Sequence, residues 1–247
     1  MDPDWIIPDW PAPAQVRAFF TTRAGGVSAG SYASFNLGAA TDDDQASVAA
    51  NRAKLRALLP QEPRWLKQVH GAHVIDADAD TLSDTPPADA CFAQQLETVC
   101  AILVADCLPI LFCDRAGTMV AAAHAGWRGL AAGVIDNTVA AMTRHGVKAS
   151  ELLAWIGPGI GPTAFEVGDD VYRAYAQQDP GSVAAFQRHT AGKWLADLAL
   201  LARRALQRSH VANIYRGEHC TYTQSARFYS YRRDRATGRM GAFIWRE

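Results

Sequence analysis

The chain has 247 residues, 49% of them hydrophobic and 20% charged, which suits a folded globular protein and excludes a disordered, collagenous or coiled-coil chain. Its 24 Lys and Arg against 25 Asp and Glu leave a formal charge of -1 with no long run of one sign, so neither nucleic acid nor an anionic membrane is an expected partner. The longest apolar stretch, residues 99–113, is shorter than the roughly 20 residues of a membrane span and carries Asp106 in its middle.

Residues 17–22 (RAFFTT) read as a first strand. Thr41, followed by Asp42, Asp43 and Asp44, reads as a capping cluster for a helix that runs to about Leu59, where Pro60 stops it. Strands are expected at 64–69 (RWLKQV), 99–104 (VCAILV), 109–113 (PILFC) and 118–123 (TMVAAA), several apolar on both faces and therefore central. A second helix is expected after Gly129, ending near Arg144-His145-Gly146 with cations in its last turn, which makes His145 a dipole-complementing surface residue. Lys193 to Ser209 reads as a helix, because Trp194, Leu198, Leu201, Ala202 and Ala205 recur at helical spacing while Arg203, Arg204 and Arg208 take other faces. Residues 215–223, 227–233 and 239–246 read as late strands, with Gly238 in a turn. No repeat or linker divides the chain, so residues 1–247 are expected to form one domain of α/β (α+β) class with mixed sheets flanked by helices.

The start, Met1-Asp2-Pro3-Asp4-Trp5, has neither a basic nor an apolar region of the kind a secretory signal needs, so a cytoplasmic location is expected. The five cysteines, an odd number without a regular framework, suit reduced thiols. Three segments then place reactive side chains where an expected strand gives way to Gly or Pro: Lys67-Gln68-Val69-His70-Gly71, Ala105-Asp106-Cys107-Leu108-Pro109 and His124-Ala125-Gly126-Trp127-Arg128-Gly129. Two imidazoles and a thiolate suit zinc, with a fourth position left for water or substrate. No pair lies at the short spacing of a zinc motif, so the fold must bring three distant segments together. Asp106 is either an acceptor for a ligating histidine or a turn residue before Pro109.

The phrases FFTTRAGGVS (from Phe19), SFNLG (from Ser34), KQVHG, ADCLPILF, AAAHAGWRGL, IGPGIGP with FEVGDDV, FYSYRRD and TGRMGAFIW follow one another from Phe19 to Trp245. In these phrases the chain resembles the YfiH/YlmD-like family, described as zinc-dependent purine nucleoside phosphorylases with adenosine deaminase activity and also labelled multicopper polyphenol oxidase or laccase-domain proteins. The resemblance implies a YfiH-like (cytotoxic necrotizing factor-like) fold and puts the family's metal ligands on His70, Cys107 and His124, the trio the residue chemistry already singles out. It implies purine nucleosides and phosphate as partners, and leaves the oligomeric state open. One departure is Thr163-Ala164, where many members carry paired cysteines, so any role of those thiols does not carry over.

Deamination calls for a zinc-acidified water and an acid or base, for which Asp106 is the candidate. Phosphorolysis needs an anion site, and Arg23 beside Gly25-Gly26 and Arg128 beside Gly126 and Gly129 suit one, unless they pair with carboxylates or cap helices. Asn36 and Lys67, in two of the family phrases, are further substrate- or phosphate-binding candidates, and Cys107, His124, Asp106 and Arg128 are the catalytic ones. Trp127 and Tyr229 suit either purine stacking or core packing. His73 is expected at the rim, Cys220 as a pocket or buried thiol, and His189, His210 and His219 as structural or surface groups. Two rivals use the same trio: a metal-free amide hydrolase with Cys107 as nucleophile and His124 as base, and a non-enzymatic metal-binding protein. A third, a copper-dependent polyphenol oxidase, would need about ten histidines plus the cysteine. The chain has seven, although copper is expected to enter a site of this kind in vitro.

Overall fold

The structure, a computed structural model, describes residues 4–79 and 85–247. Its first half carries β1 (Val16–Phe20), α1 (Gln45–Arg56), β2 (Val74–Asp76), β3 (Ala90–Ala93), β4 (Cys100–Val104), β5 (Leu108–Asp114) and β6 (Val120–Ala125). After these come α2 (Trp127–Ala131), α3 (Val134–Arg144), β7 (Leu152–Ile156), β8 (Glu166–Gly168) and α4 (Asp169–Gln178). The remainder adds β9 (Phe186–Arg188), β10 (Lys193–Ala196), α5 (Leu198–Arg208), β11 (Asn213–Arg216), α6 (Tyr231–Asp234) and β12 (Met240–Arg246).

β5 is buried along its whole length because its two faces serve two different cores. Ile110 and Phe112 join Val139 and Met142 of α3 and Leu201 of α5 on the helical side. Leu111 and Cys113 join Phe20, Ile102 and Ile244 on the other. The six-stranded sheet thus formed has the order β11-β7-β5-β6-β3-β2. It is antiparallel except for the parallel pairs at its two edges. The antiparallel sheet β1-β12-β4 packs on its non-helical face, and a small sheet, β8-β10-β9, completes the set. Beyond β1-β12-β4, Phe19, Phe243 and Trp245 meet Leu55 of α1, so the mixed α/β fold has helices on both outer sides of paired sheets. No helix among the described residues is long and apolar enough to cross a membrane.

The strands expected at 17–22, 99–104, 109–113, 118–123 and 239–246 correspond to β1, β4, β5, β6 and β12. Elsewhere the structure corrects the reading. The 64–69 segment is extended but pairs only through bridges at Arg64 and Lys67. The helix expected over 193–209 divides: residues 193–196 are a strand with Trp194 and Ala196 inward, and Asp197 starts α5 by accepting the Leu200 N–H. Trp194 stacks on Tyr172 with ring centroids 4.0 Å apart and donates to Asp169, contacts that a helical register would break. Gly133, at φ 87°, separates α2 from α3 where one helix was expected. Of 215–223 only the beginning is strand, and 227–233 is a turn leading into α6, capped by Ser230. Arg233 braces that turn by donating to the carbonyls of Thr221, Tyr222 and Phe228. The acidic cluster does cap α1, through Asp44 rather than Thr41.

Candidate functional site

The central sheet itself brings Cys107 and His124 together. β5 and β6 are antiparallel neighbours in which Leu108 faces Ala125 and Pro109 faces His124, so Cys107, one residue before β5, lies beside the end of β6. His70 arrives on a loop. The side-chain amide of Gln68 donates to the Leu103 carbonyl and accepts the Leu103 N–H, both at 2.8 Å, and so replaces a ladder pair that fastens this loop to β4. His70 then turns at φ 60°, in the left-handed region. The nitrogen and sulfur ligand atoms of His70, Cys107 and His124 all lie within 4.8 Å of one another, with Cys107 Sγ 3.8 Å from His70 Nε2. His124 is buried and His70 is exposed, so the cluster opens on the His70 side.

Asp89, fully buried just before β3, organises the trio. One carboxylate oxygen accepts from His124 Nδ1 at 2.8 Å and from the His70 N–H at 2.9 Å. The other accepts the N–H groups of Gly71 at 2.7 Å and Val69 at 3.1 Å. With Nδ1 engaged, His124 is left with Nε2 for the cluster. Burial pushes the Asp89 carboxyl up, but the His124 and backbone hydrogen bonds outweigh it and hold it below the usual carboxylate range. Burial likewise pushes the Cys107 thiol up, and the two imidazoles overcome this, bringing it down to about 6. Burial opposes a charge on His124, yet the Cys107 thiolate and Asp89 raise it to about 9.

Two glycines let this cluster close. A Cβ on Gly126 would sit 2.8 Å from Cys107 Sγ and 3.1 Å from His70 Cδ2, and one on Gly129 would sit 2.8 Å from the Gly71 carbonyl oxygen. The donor set fits a borderline-soft divalent ion: zinc bonded at about 2.3 Å to sulfur and about 2.0 Å to nitrogen puts neighbouring ligands roughly 3.5 Å apart, and the 3.8 Å Cys107–His70 separation is of that size.

Asp106, at φ 89°, sits in the turn before β5, the second of the two places expected for it. Its carboxylate accepts from the Thr221 hydroxyl and the Arg232 N–H, both at 2.6 Å, and it is Asp89 that holds His124. Arg23 donates to the carbonyls of Ala33, which ends the short 3-10 turn 30–32, and of Ser225, and lies over the Tyr229 ring; it joins no ion pair with a described carboxylate. Arg128 is exposed with its guanidinium 4.4 Å from the Trp127 ring centre. Asn36 is buried, its NH2 donating to Thr41 and Asp43 and its carbonyl accepting from Gly38 and Arg239. Lys67 is exposed, its main chain bonded to Pro86 and Ala88. Tyr229 is buried and donates to the Tyr32 carbonyl, while Trp127 packs partly buried against the helical-side core. His73 is exposed outside the trio, and Cys220 Sγ accepts the Gly161 N–H. The sequence reading missed Asp89. Its one local signal is a lone carboxylate among small residues, Pro87-Ala88-Asp89-Ala90-Cys91, at the entry to an apolar strand.

Fold and site together define a mixed α/β protein with a His2Cys cluster where strand ends meet a loop. Residues 17–247 match the family model described as multi-copper polyphenol oxidoreductase laccase. The chain is 49% identical to a purine nucleoside phosphorylase of Pseudomonas aeruginosa, over 98% of both chains. It is equally identical to the purine nucleoside phosphorylase YfiH of Escherichia coli, over 97% of this chain and 98% of that one. Its structure is similar to the crystal structure of a Neisseria meningitidis protein (TM-score 0.94, 48% identity, 99% of both chains). YlmD from Geobacillus stearothermophilus also matches (TM-score 0.90, 34% identity, 98% of this chain and 96% of that one). The chain belongs to the YfiH family of laccase-domain proteins.

Proposed function

We propose that this protein is a zinc-dependent purine nucleoside phosphorylase. It would act on adenosine, inosine and S-methyl-5′-thioadenosine, and deaminate adenosine as a second activity. The near full-length similarity to purine nucleoside phosphorylases carries the reading, and the converging His70, Cys107 and His124 support the metal dependence. Phosphorolysis breaks the bond from C1′ to the purine nitrogen, forms a bond from C1′ to a phosphate oxygen, and returns a proton to the departing base. Zinc held by the trio would supply Lewis acidity at the mouth of the site. The chain's own part is to keep Cys107 as a thiolate, to fix the His124 tautomer through Asp89, and to hold an anion with guanidinium groups, for which Arg23 and Arg128 remain candidates. In this reading Asp106 braces Thr221 and α6 around the site.

The test combines metal analysis of protein purified without added metal with a product assay on the three nucleosides, with and without phosphate. Near-stoichiometric zinc and phosphate-dependent release of base are expected. No zinc and no base release would reject the proposal. One observation favours a second reading: Cys107, His124 and Asp89 are arranged as nucleophile, base and orienting carboxylate, which would suit an amide hydrolase. Alkylation separates the two, because a ligating thiolate is protected by zinc and a free nucleophile is not.

A further inference from the structure

Arg239 stands one residue before Met240, which pairs with Val104 of β4, so its backbone lies across from the 105–107 turn that carries Cys107. Its N–H donates to Asn36 Oδ1 at 2.8 Å and its carbonyl accepts from Leu37, which pins the turn before β12 to the 36–38 segment. The side-chain stem runs across Gly38, where a Cβ would sit 2.7 Å from Arg239 Cγ, so a residue with a side chain at Gly38 would obstruct it. Nη1 donates to the carbonyls of Thr237 and Gly238, and the guanidinium forms no ion pair with any described carboxylate. Burial disfavours its charge, and the groups that act electrostatically to keep it charged are Cys107, Asp106, Tyr231 and Tyr32. Asp106 already accepts from Thr221 and Arg232, and the Cys107 thiolate belongs to the metal cluster. A pre-positioned, partly buried cation without a carboxylate partner, next to a cationic metal site, is an environment that a dianionic ligand completes.

We propose that Arg239, aimed by Asn36 and Gly38, is a phosphate-binding residue of this site, taking orthophosphate as the co-substrate of nucleoside cleavage. The inference rests on the phosphorolysis reading for its catalytic meaning and on the geometry for the anion itself. It gives buried Asn36 a positioning role in place of substrate contact. Arg23 is a weaker candidate, because both its Nε and its Nη1 already donate to backbone carbonyls, whereas of the Arg239 guanidinium only Nη1 does.

The test titrates orthophosphate into zinc-loaded wild type, R239Q and R239K at constant ionic strength, followed by 31P NMR line broadening, with phosphorolysis kinetics and zinc content in parallel. R239Q is expected to weaken orthophosphate binding and raise the phosphate KM roughly 10- to 100-fold, the loss of one or two charged hydrogen bonds. The nucleoside KM and zinc content should stay as in wild type, which a general structural defect would not allow. R239K should bind several-fold more weakly than wild type, since an ammonium lacks the two-pronged donor geometry; it also decides the matter if R239Q does not fold. Wild-type affinity in either folded variant, or no orthophosphate binding by wild type, would overturn the proposal. Arg239-dependent binding without release of base would leave the anion site standing and reject phosphorolysis.

Discussion

Replacing Asp89 by Asn tests whether one buried carboxylate holds the cluster together. The carboxylate accepts four hydrogen bonds, from His124 Nδ1 and from the N–H groups of Val69, His70 and Gly71. An amide keeps one accepting oxygen and turns two N–H donors toward groups that also donate. If the oxygen stays on His124, the Val69 and Gly71 N–H groups lose their acceptor, at about 1–3 kcal/mol each and so about 2–6 kcal/mol together. If the amide flips, His124 must accept at Nδ1 and carry its proton on Nε2, the nitrogen that faces the trio. Either arrangement weakens metal binding, by about 10- to 100-fold on the scale of other carboxylate partners of ligating histidines. Zinc affinity by chelator competition, and thermal unfolding of the metal-free protein, read the two effects separately. An Asp89→Asn protein that melts with the metal-free wild type and binds zinc equally would refute the reasoning.

In metal-free protein, alkylation of Cys107 should rise with a midpoint near pH 6 rather than near 9, and added zinc should suppress it. Because that thiol is lowered to about 6, its contribution to stability is present in full above its unfolded pKa of about 9 and lost as pH falls through 6; His124, raised to about 9, contributes in full below about 6.5 and loses this as pH rises through 9. Between about 6.5 and 9 the thiol's gain and the imidazole's loss run in opposite directions and nearly cancel, so the melting temperature of metal-free protein should stay nearly level across that interval, and a steep change there would count against the pair. Gly126→Ala forces a methyl group against Cys107 Sγ and His70, so it should lower zinc affinity and cost about 1–3 kcal/mol of stability, measured by chelator competition and denaturant unfolding. Thr221→Val removes one of the two partners of the Asp106 carboxylate, and its urea midpoint should report a loss of about 1–3 kcal/mol.

The trio was legible in the sequence because its chemistry is local: each member marks the point where an apolar or extended run gives way to Gly or Pro. Asp89 was not, because what distinguishes it is four partners supplied by other segments, and nothing in its neighbours announces them. Asp106 drew attention through adjacency to Cys107, but what it bonds is decided by Thr221 and Arg232, which come from segments far along the chain. The β10–α5 segment misled for a related reason. Trp194 fits both a helical spacing with Leu198 and an alternating one with Ala196, and the choice is made by Tyr172 and Asp169, outside the segment. Arg239 was hidden in the same way, since its surroundings come from residues 32–41 and 106–107.

β12 lies C-terminal to every other strand, yet it is the middle member of its sheet, flanked by β1 and β4. During vectorial synthesis β1 and β4 therefore emerge long before the strand that joins them. The apolar faces of Ile102 and Val104 must wait for Ala242 and Met240. The anion site inferred at Arg239 is built on the turn leading into this strand, so a nascent chain can hold His70, Cys107 and His124 and still lack the basic group beside them. If the trio takes metal and Arg239 takes phosphate, as proposed, the two capacities are separated in the life of each molecule by the translation of one strand.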